Sequence, residues 1–127
     1  MNMRQRILIA EDNSVMANVV RFNLAKAGFE VVIAENGKIA LKQAGEQQFD
    51  LIITDQQMPE MGGSEFCQRM RELKGYENVP VILLTAKGLE LDLARLRDEL
   101  GITATLPKPF SPSRLVREVE ALLAATT

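Results

Sequence analysis

The stretch LIITDQQMPEMGG, residues 51–63, passes from a short apolar run into an aspartate and then into a turn. Such a run, nearly continuous and rich in β-branched residues, is typical of a strand that is buried on both faces of a parallel sheet. Comparable apolar runs occur elsewhere in the chain, at 7–10, 31–34, 79–84 and 104–106. Together with residues 51–54, they predict five strands.

Segments with the apolar spacing of amphipathic helices follow these runs, at 15–27, 38–47, 64–73, 89–100 and from residue 112 onward. Gly28 and Gly101 stand where a helix often ends in glycine, and Ser111-Pro112 pairs a cap residue with a proline in the first turn. The alternation predicts an α/β fold, a doubly wound, flavodoxin-like parallel sheet in the order 2-1-3-4-5 with five flanking helices. The fifth strand would lie at an edge, where Pro107 is tolerated.

Length and composition restrict the classes of function. The chain has 127 residues, 46% of them hydrophobic and 25% charged, which predicts a single domain. Its core is expected at about 6–123, the extent of the family resemblance described below, and a tail at 124–127. It has no histidine, and its one cysteine is Cys67. These counts exclude a disulfide framework, the common histidine and cysteine zinc sites, and serine or cysteine nucleophiles with a histidine base. Any catalysis must use carboxylates, hydroxyls, lysine or a hard metal ion.

Charge and hydropathy bear on partners and location. The 15 basic residues stand against 17 acidic ones, a net charge of -2, which argues against nucleic-acid binding through a broadly basic face. No segment has the features of a signal peptide or the ~18 consecutive apolar residues that span a membrane. A cytoplasmic location without membrane association is the simplest interpretation.

Five polar residues directly follow strands that would be neighbours in this sheet order: Glu11, Asp12, Asp55, Thr85 and Lys108. Ligands bind to doubly wound sheets at the carboxyl ends of the strands, so these side chains should converge in one pocket. Each also has a simple local explanation, such as helix capping by Asp12 or turn formation by Asp55. Unrelated local roles at four adjacent strand ends would, however, be a coincidence.

Three carboxylates in one pocket repel one another unless a cation binds them. Two or three carboxylates, with the remaining ligand positions left to water, are typical of magnesium. A cation, a lysine, a hydroxyl and a carboxylate together suit phosphoryl transfer, because the metal and the lysine neutralise the phosphoryl oxygens and the carboxylate can be the nucleophile. Asp55 is the best candidate nucleophile because it lies centrally, while Glu11 and Asp12 would hold the ion, Asp12 directly.

These motifs, in their order and spacing, resemble a response-regulator receiver domain from about residue 6 to residue 123. The resemblance rests on Glu11-Asp12, on DQQMPEMGG at 55–63, on Leu84-Thr85-Ala86 and on Lys108-Pro109-Phe110. It implies that Asp55 accepts a phosphoryl group from a phosphohistidine on a sensor histidine kinase or a histidine phosphotransfer protein. The absence of histidine fits, since the partner supplies the donor. The chain would catalyse its own phosphorylation and dephosphorylation without being a conventional enzyme.

The resemblance also implies a set of magnesium ligands. Asp12, Asp55 and the backbone carbonyl of Gln57 would bind Mg²⁺ directly, and Glu11 would act through water. All of these ligands are oxygen atoms, which a hard ion such as Mg²⁺ prefers. The residue types alone also suggest a hard ion here.

Further roles follow from the same resemblance. Thr85 would contact the phosphoryl group and reorient on phosphorylation, Lys108 would pair with that group, and the Lys108-Pro109 bond would be cis. Gln57 and Lys87 occupy two variable positions that line the route of hydrolytic water, so they would modulate the lifetime of the phosphate.

One position departs from the family pattern. Receiver domains usually carry a tyrosine or phenylalanine three residues before the lysine, and this chain has Thr105 there. In the family, the aromatic ring turns inward when the threonine moves, so this chain would lack that ring and would switch through Thr85 and Thr105. The alternative is a receiver-like protein-interaction module with impaired switching.

Two other classes of function fit less well. Hydrolases of the haloacid-dehalogenase type usually carry a second acid two residues after the nucleophile, where this chain has Gln57. A flavodoxin-like flavin carrier would need a threonine- and glycine-rich phosphate loop after the first strand. The sequence does not identify the cognate kinase or the downstream protein, and it leaves open a weak homodimer through the fourth and fifth helices.

Overall fold

Strands and helices alternate through the residues that the computed structural model describes, 4–86 and 93–125. In chain order they are β1 (Arg6–Ala10), α1 (Ser14–Lys26), β2 (Glu30–Ala34), α2 (Gly37–Glu46), β3 (Leu51–Asp55), α3 (Gly63–Met70), β4 (Val81–Thr85), α4 (Leu93–Leu100), β5 (Ala104–Pro107) and α5 (Pro112–Ala125). The strands form a parallel sheet in the order β2-β1-β3-β4-β5. This confirms the predicted doubly wound fold and places Pro107 on an edge strand.

An apolar layer covers each face of the sheet. Alternate residues of a strand point to opposite faces, so Leu8 joins a cluster with α2, α3 and α4, whereas Ile7 and Ile9 join one with α1 and α5. The central strands β3 and β4 are buried at every position. Burial on both faces is why these strands appear in the sequence as unbroken apolar runs.

The strand β4 begins two residues later than the sequence predicts, at Val81 instead of residue 79. Pro80 has no N–H group to give to the ladder, although its carbonyl accepts from the backbone N–H of Ile52 at 3.0 Å. The carbonyl of Val79 accepts from Arg71 Nη1 at 2.7 Å instead of from a strand. The Arg71 side chain therefore supplies the hydrogen bond to the Val79 carbonyl that a neighbouring strand would otherwise supply just before β4.

The helix α3 ends at Met70, three residues before the predicted end. The next residue, Arg71, donates to the carbonyls of Tyr76 at 2.8 Å and Leu100 at 3.0 Å. Gly75 then turns the chain with a φ of 93°, a region that favours glycine. The guanidinium of Arg71 thus joins the end of α3 to the end of α4, a long-range arrangement that apolar spacing does not reveal.

The two C-terminal helices differ from prediction in their extent. The first residues predicted for the fourth helix, 89–92, lie outside the described residues. The helix α5 continues through Ala125, so residues 124 and 125 of the predicted tail are helical, and residues 126 and 127 lie outside the described residues. The two helical residues are alanines, which have the highest helix propensity. No helix in the described ranges is long and apolar enough to cross a membrane.

Replacement of Tyr76 by phenylalanine is expected to lower the free energy of unfolding by about 1–3 kcal/mol, the usual cost of an unsatisfied buried polar group. The Tyr76 hydroxyl donates to the carbonyl of Gln47 at 2.7 Å and accepts from the N–H of Phe49 at 3.0 Å. Tyr76→Phe leaves both backbone groups without this partner. Urea denaturation followed by circular dichroism measures the change, and a loss below about 0.5 kcal/mol would contradict the prediction.

The thiol of Cys67 should make the stability of the fold depend on pH in the alkaline range. Burial raises the pKa of this thiol from 9.0 to about 12. The folded state therefore favours the neutral thiol, and the stabilisation is complete below pH 9.0 and is lost as the pH rises toward about 12. Unfolding free energies of wild type and Cys67→Ala should converge over this interval. If the difference in unfolding free energy between wild type and Cys67→Ala stays constant with pH, the prediction is wrong.

Candidate functional site

The strand ends bring the predicted polar residues to one edge of the sheet. The strands β1, β3, β4 and β5 are consecutive neighbours, and the register pairs Asp55 with Leu84 and Thr85 with Pro107. The backbone N–H of Lys108 donates to the carbonyl of Thr85 at 2.8 Å, which extends the pairing one residue beyond β5. Glu11, at the end of β1, makes a similar contact with β2, its N–H donating to the carbonyl of Ala34 at 3.0 Å.

The acidic side chains and the lysine form one cluster. Lys108 Nζ lies 2.9 Å from Asp55 Oδ2, to which it donates a hydrogen bond, and 2.9 Å from Glu11 Oε1. Carboxylate oxygens of Glu11, Asp12 and Asp55 all lie within 4.8 Å of one another. The geometry therefore brings together four of the residues predicted from the strand ends.

The members of the cluster differ in their exposure. Glu11 and Asp55 are buried, with 2% and 6% of their surface exposed, and Thr85 is buried as well. Asp12 is exposed. The residue that caps α1 is Asn13, whose Oδ1 accepts from the N–H of Met16 at 3.1 Å. The capping role considered for Asp12 is therefore wrong, and its carboxylate is left at the open side of the cluster.

Glu11 is held in an environment that disfavours its charge. Burial raises the pKa of its carboxyl group, and the negative charge of Asp55 adds to this increase. The hydrogen bond from the Asn13 N–H, at 3.1 Å, and the nearby ammonium of Lys108 oppose the increase without cancelling it. A cation bound at the cluster would relieve this cost.

Lys108 is held in its charged form. Burial by itself lowers the pKa of the ammonium group, but its contacts with Asp55 and Glu11 outweigh that effect and the pKa is raised. The site therefore presents a fixed positive charge next to the Asp55 carboxylate.

The cluster fits a hard divalent cation. Its donors are oxygens only, and two of the three carboxylates, those of Glu11 and Asp55, contact the ammonium of Lys108. Glu11 Oε1 is fully buried and accepts no hydrogen bond from the described residues. Lys108 Nζ forms an ion pair with it at 2.9 Å. A bound ion or its water would be a further partner for this oxygen.

The loop that follows Asp55 packs against the site through glycine. A Cβ atom on Gly63 would collide with the backbone carbonyl of Asp55, so only glycine allows α3 to begin so close to β3. Gln56 and the hydroxyl of Ser64 bond reciprocally at 2.8 and 3.0 Å and fasten the loop. The sequence predicts a glycine turn here but not that Gly63 touches the backbone of Asp55, because the contact depends on the path of the loop.

The remaining predicted site residues are Gln57, Thr105 and Lys87. Gln57 is exposed in the loop after β3, and Thr105 is half-buried on β5, where it pairs with Leu83 of β4. Lys87 lies outside the described residues. The Lys108-Pro109 peptide bond is cis, as the family resemblance implies.

The fold agrees with comparisons to known proteins. A model of the family "Response regulator receiver domain" matches residues 7–120. The alkaline phosphatase synthesis transcriptional regulatory protein PhoP of Bacillus subtilis is 36% identical over 121 residues, which cover 95% of this chain and 49% of PhoP. The chain spans about half the length of the curated relatives it matches.

Solved structures resemble this chain over almost its whole length. The chemotaxis protein CheY4 of Vibrio cholerae has a TM-score of 0.86 and 30% identity, covering 94% of this chain and 98% of CheY4. The receiver domain of sensor histidine kinase PA1611 from Pseudomonas aeruginosa PAO1, with a magnesium ion coordinated in its active site cleft, has a TM-score of 0.85 and 30% identity, covering 96% and 99% of the two chains. On this evidence the chain belongs to the response regulator receiver domain family of two-component signalling.

Proposed function

We propose that this chain is a phosphorylatable switch that accepts a phosphoryl group from a partner's phosphohistidine onto Asp55. The observation that carries the proposal is the cluster itself, in which Lys108 Nζ lies 2.9 Å from Asp55 Oδ2 and two further carboxylates stand within 4.8 Å. The donor would be a sensor histidine kinase or a histidine phosphotransfer protein, because the chain has no histidine of its own.

In this reaction a carboxylate oxygen of Asp55 forms a bond to phosphorus while the bond from phosphorus to the donor's imidazole nitrogen breaks. The electron pair of the broken bond stays with the imidazole, and the product is an acyl phosphate on Asp55. Lys108 already holds Oδ2, so it keeps the carboxylate oriented and places positive charge beside the incoming phosphoryl oxygens. Phosphate is lost when water attacks the same phosphorus and the bond from phosphorus to the Asp55 oxygen breaks, which releases inorganic phosphate and restores the carboxylate. Gln57 and Lys87 would tune the rate of this step.

Asp12, Asp55 and the Gln57 carbonyl would hold magnesium directly, and Glu11 would hold it through water. When bound, the ion would neutralise the phosphoryl oxygens and draw the carboxylates together. Support comes from the all-oxygen donor set, from the buried Glu11 oxygen without a hydrogen bond, and from the exposure of Asp12.

The output would be a change in partner binding. Thr85 lies buried at the end of β4 with its carbonyl bonded to the N–H of Lys108, so a shift of Thr85 toward the phosphate would also move the end of β5. Thr105 replaces the usual aromatic residue, so the change would reach the surface of α4, β5 and α5 through the backbone. The downstream protein is unknown, and neither direct nucleic-acid binding nor membrane association is part of the proposal.

The alternative, an interaction module with impaired switching, is not favoured. It would not need Glu11, Asp12, Asp55 and Lys108 to converge, yet these residues are all present in one cluster. The cytoplasmic location, the single-domain organisation and the weak homodimer stay predictions of the sequence.

The experiment that tests the proposal is phosphorylation by a small-molecule donor. Purified chain incubated with acetyl phosphate and magnesium should gain the mass of one phosphoryl group, and hydroxylamine, which cleaves acyl phosphates, should remove it. Removal of magnesium with EDTA should prevent the gain. A chain that takes up no phosphoryl group with magnesium present would contradict the proposed function.

A further inference from the structure

Two polar side chains bond to each other beside Asp55. Gln56 directly follows Asp55, the last residue of β3, and Ser64 is the second residue of α3. The amide nitrogen of Gln56 donates to Ser64 Oγ at 2.8 Å, and Ser64 Oγ donates to Gln56 Oε1 at 3.0 Å. We call this pair the Gln56–Ser64 clamp. Both residues are half-buried, so their hydrogen bonds are partly shielded from competing water.

The clamp closes the loop that follows Asp55. Its two residues are eight positions apart in the chain, and the backbone closes the same loop beside them, where the N–H of Gly63 donates to the carbonyl of Gln56 at 3.0 Å. The N–H of Gln56 donates to the carbonyl of Leu84 on β4 at 3.1 Å. Gln56 is therefore bonded to the sheet through its N–H and to the start of α3 through its carbonyl and its side chain.

Gln57 lies inside this loop and depends on its neighbours for its position. It is exposed, and within the described ranges it makes no hydrogen bond of its own. The loop is attached before it at Gln56 and after it at Met61, whose carbonyl accepts from the N–H of Gly37 at 3.0 Å. The direction of the Gln57 carbonyl is therefore set by these two attachments.

A serine in the first turn of a helix also has a simple local explanation, which is capping of that helix. The cap residue of α3 is Gly62, however, and α3 has no side-chain cap hydrogen bond. Serine is also a weaker helix former than alanine, so helix propensity does not account for Ser64. Its hydroxyl is directed at Gln56 and stabilises the loop, not the helix.

We propose that the Gln56–Ser64 clamp positions the metal site, by holding the loop so that the carbonyl of Gln57 is directed at Mg²⁺. The inference rests on the proposed function, which assigns that carbonyl to the ion. It adds two positioning residues that contact neither the ion nor the phosphoryl group. A ligand that is already in place binds an ion more tightly, because less conformational freedom is lost on binding.

The test measures magnesium binding to the whole chain. Ser64→Ala removes the clamp and puts a good helix former into α3, so the fold should persist. The dissociation constant of Mg²⁺, measured from the NMR amide signals of residues 55–63 during a MgCl₂ titration, should rise about tenfold. Ser64→Thr keeps the hydroxyl and should bind Mg²⁺ within about twofold of wild type. Ser113→Ala, at the second residue of α5, is the matched control and should leave binding unchanged.

Two further measurements distinguish positioning of the loop from a direct role in the chemistry. In the metal-free chain, the Gly63 amide hydrogen should exchange faster in Ser64→Ala, because its hydrogen bond to the Gln56 carbonyl opens more often. Phosphorylation of Ser64→Ala by acetyl phosphate should be slow at low Mg²⁺ and should reach the wild-type rate once Mg²⁺ saturates the site. A defect that persists at saturating Mg²⁺ would overturn the positioning inference.

A second variant tests whether the two residues act as a pair. Gln56→Met removes the amide at similar side-chain length and should weaken Mg²⁺ binding as Ser64→Ala does. The double variant should bind no more weakly than either single one, because both substitutions remove the same contact. Wild-type affinity in Ser64→Ala, or equal weakening in Ser64→Thr, would overturn the inference. A wild-type chain that binds no Mg²⁺ would instead overturn the magnesium site of the proposed function.

Discussion

Replacement of Asp55 by asparagine is expected to reduce phosphoryl uptake from acetyl phosphate by about 100-fold or more, because the substitution removes the nucleophile. The asparagine side chain has nearly the same shape, so the end of β3 keeps its packing. Its amide oxygen carries no full charge and attacks phosphorus poorly. Lys108, which now bonds Asp55 Oδ2 at 2.9 Å, would keep an oxygen acceptor, and so the fold should persist while the chemistry is lost.

The matched control is an aspartate-to-asparagine substitution at Asp50, which directly precedes β3, whereas Asp55 is its last residue. Asp50 is exposed just before β3 and accepts a hydrogen bond from the backbone N–H of Arg6 at 2.7 Å, a role that an amide oxygen can also fill. Asp50→Asn should take up phosphate as the wild type does. Uptake by Asp55→Asn within about threefold of wild type would place the phosphoacceptor elsewhere, and peptide mapping of the labelled wild-type chain would identify it.

Replacement of Phe66 by alanine is expected to lower the free energy of unfolding by about 3–5 kcal/mol. Phe66 is fully buried on α3, in the cluster between the sheet and the helices α2, α3 and α4. The substitution removes the ring from the core and leaves a cavity that the surrounding strands cannot close. A domain of this size has a total stability of about 5–15 kcal/mol, so the variant should lose a large part of it.

The chain provides its own control for this prediction. Phe22 is 68% exposed on α1, so Phe22→Ala should change the free energy of unfolding by no more than about 0.5 kcal/mol. Urea denaturation of both variants, followed by circular dichroism at constant pH and salt, measures the difference between the two sites. Equal losses at Phe66 and Phe22 would mean that the packing of α3 described above is wrong.

The order of the elements could be predicted from the sequence because it depends on local patterns. The unbroken apolar run before Asp55 and the comparable runs elsewhere predict strands, and the apolar spacing between them predicts helices. The rule that crossovers are right-handed then restricts the topology to few possibilities. The observed sheet order agrees with this prediction, and the order in turn predicts which strand ends meet.

The boundaries of β4 and α3 could not be predicted in the same way. Val79 belongs to the apolar run that predicts β4, but Pro80 cannot donate a hydrogen bond to the neighbouring strand. The carbonyl of Val79 is bound instead by Arg71, which lies eight residues earlier in the chain. The end of α3 likewise depends on the contact between Arg71 and the carbonyl of Leu100, 29 residues away. Periodicity reports only local preference, and long-range hydrogen bonds override it at the ends of elements.

The sequence by itself determined the residue types of the site and their positions at the ends of β1, β3, β4 and β5, because each follows an apolar run that can be recognised locally. Only the tertiary structure decided which of the charged groups contact one another and which are exposed. It places one lysine 2.9 Å from both Glu11 and Asp55, leaves Asp12 exposed, and brings Gly63 against the backbone of Asp55. The physical reason is that the contacts of Lys108 join residues distant in the chain and the approach of Gly63 depends on the path of a loop, both of which are set by packing of the whole sheet and its helices.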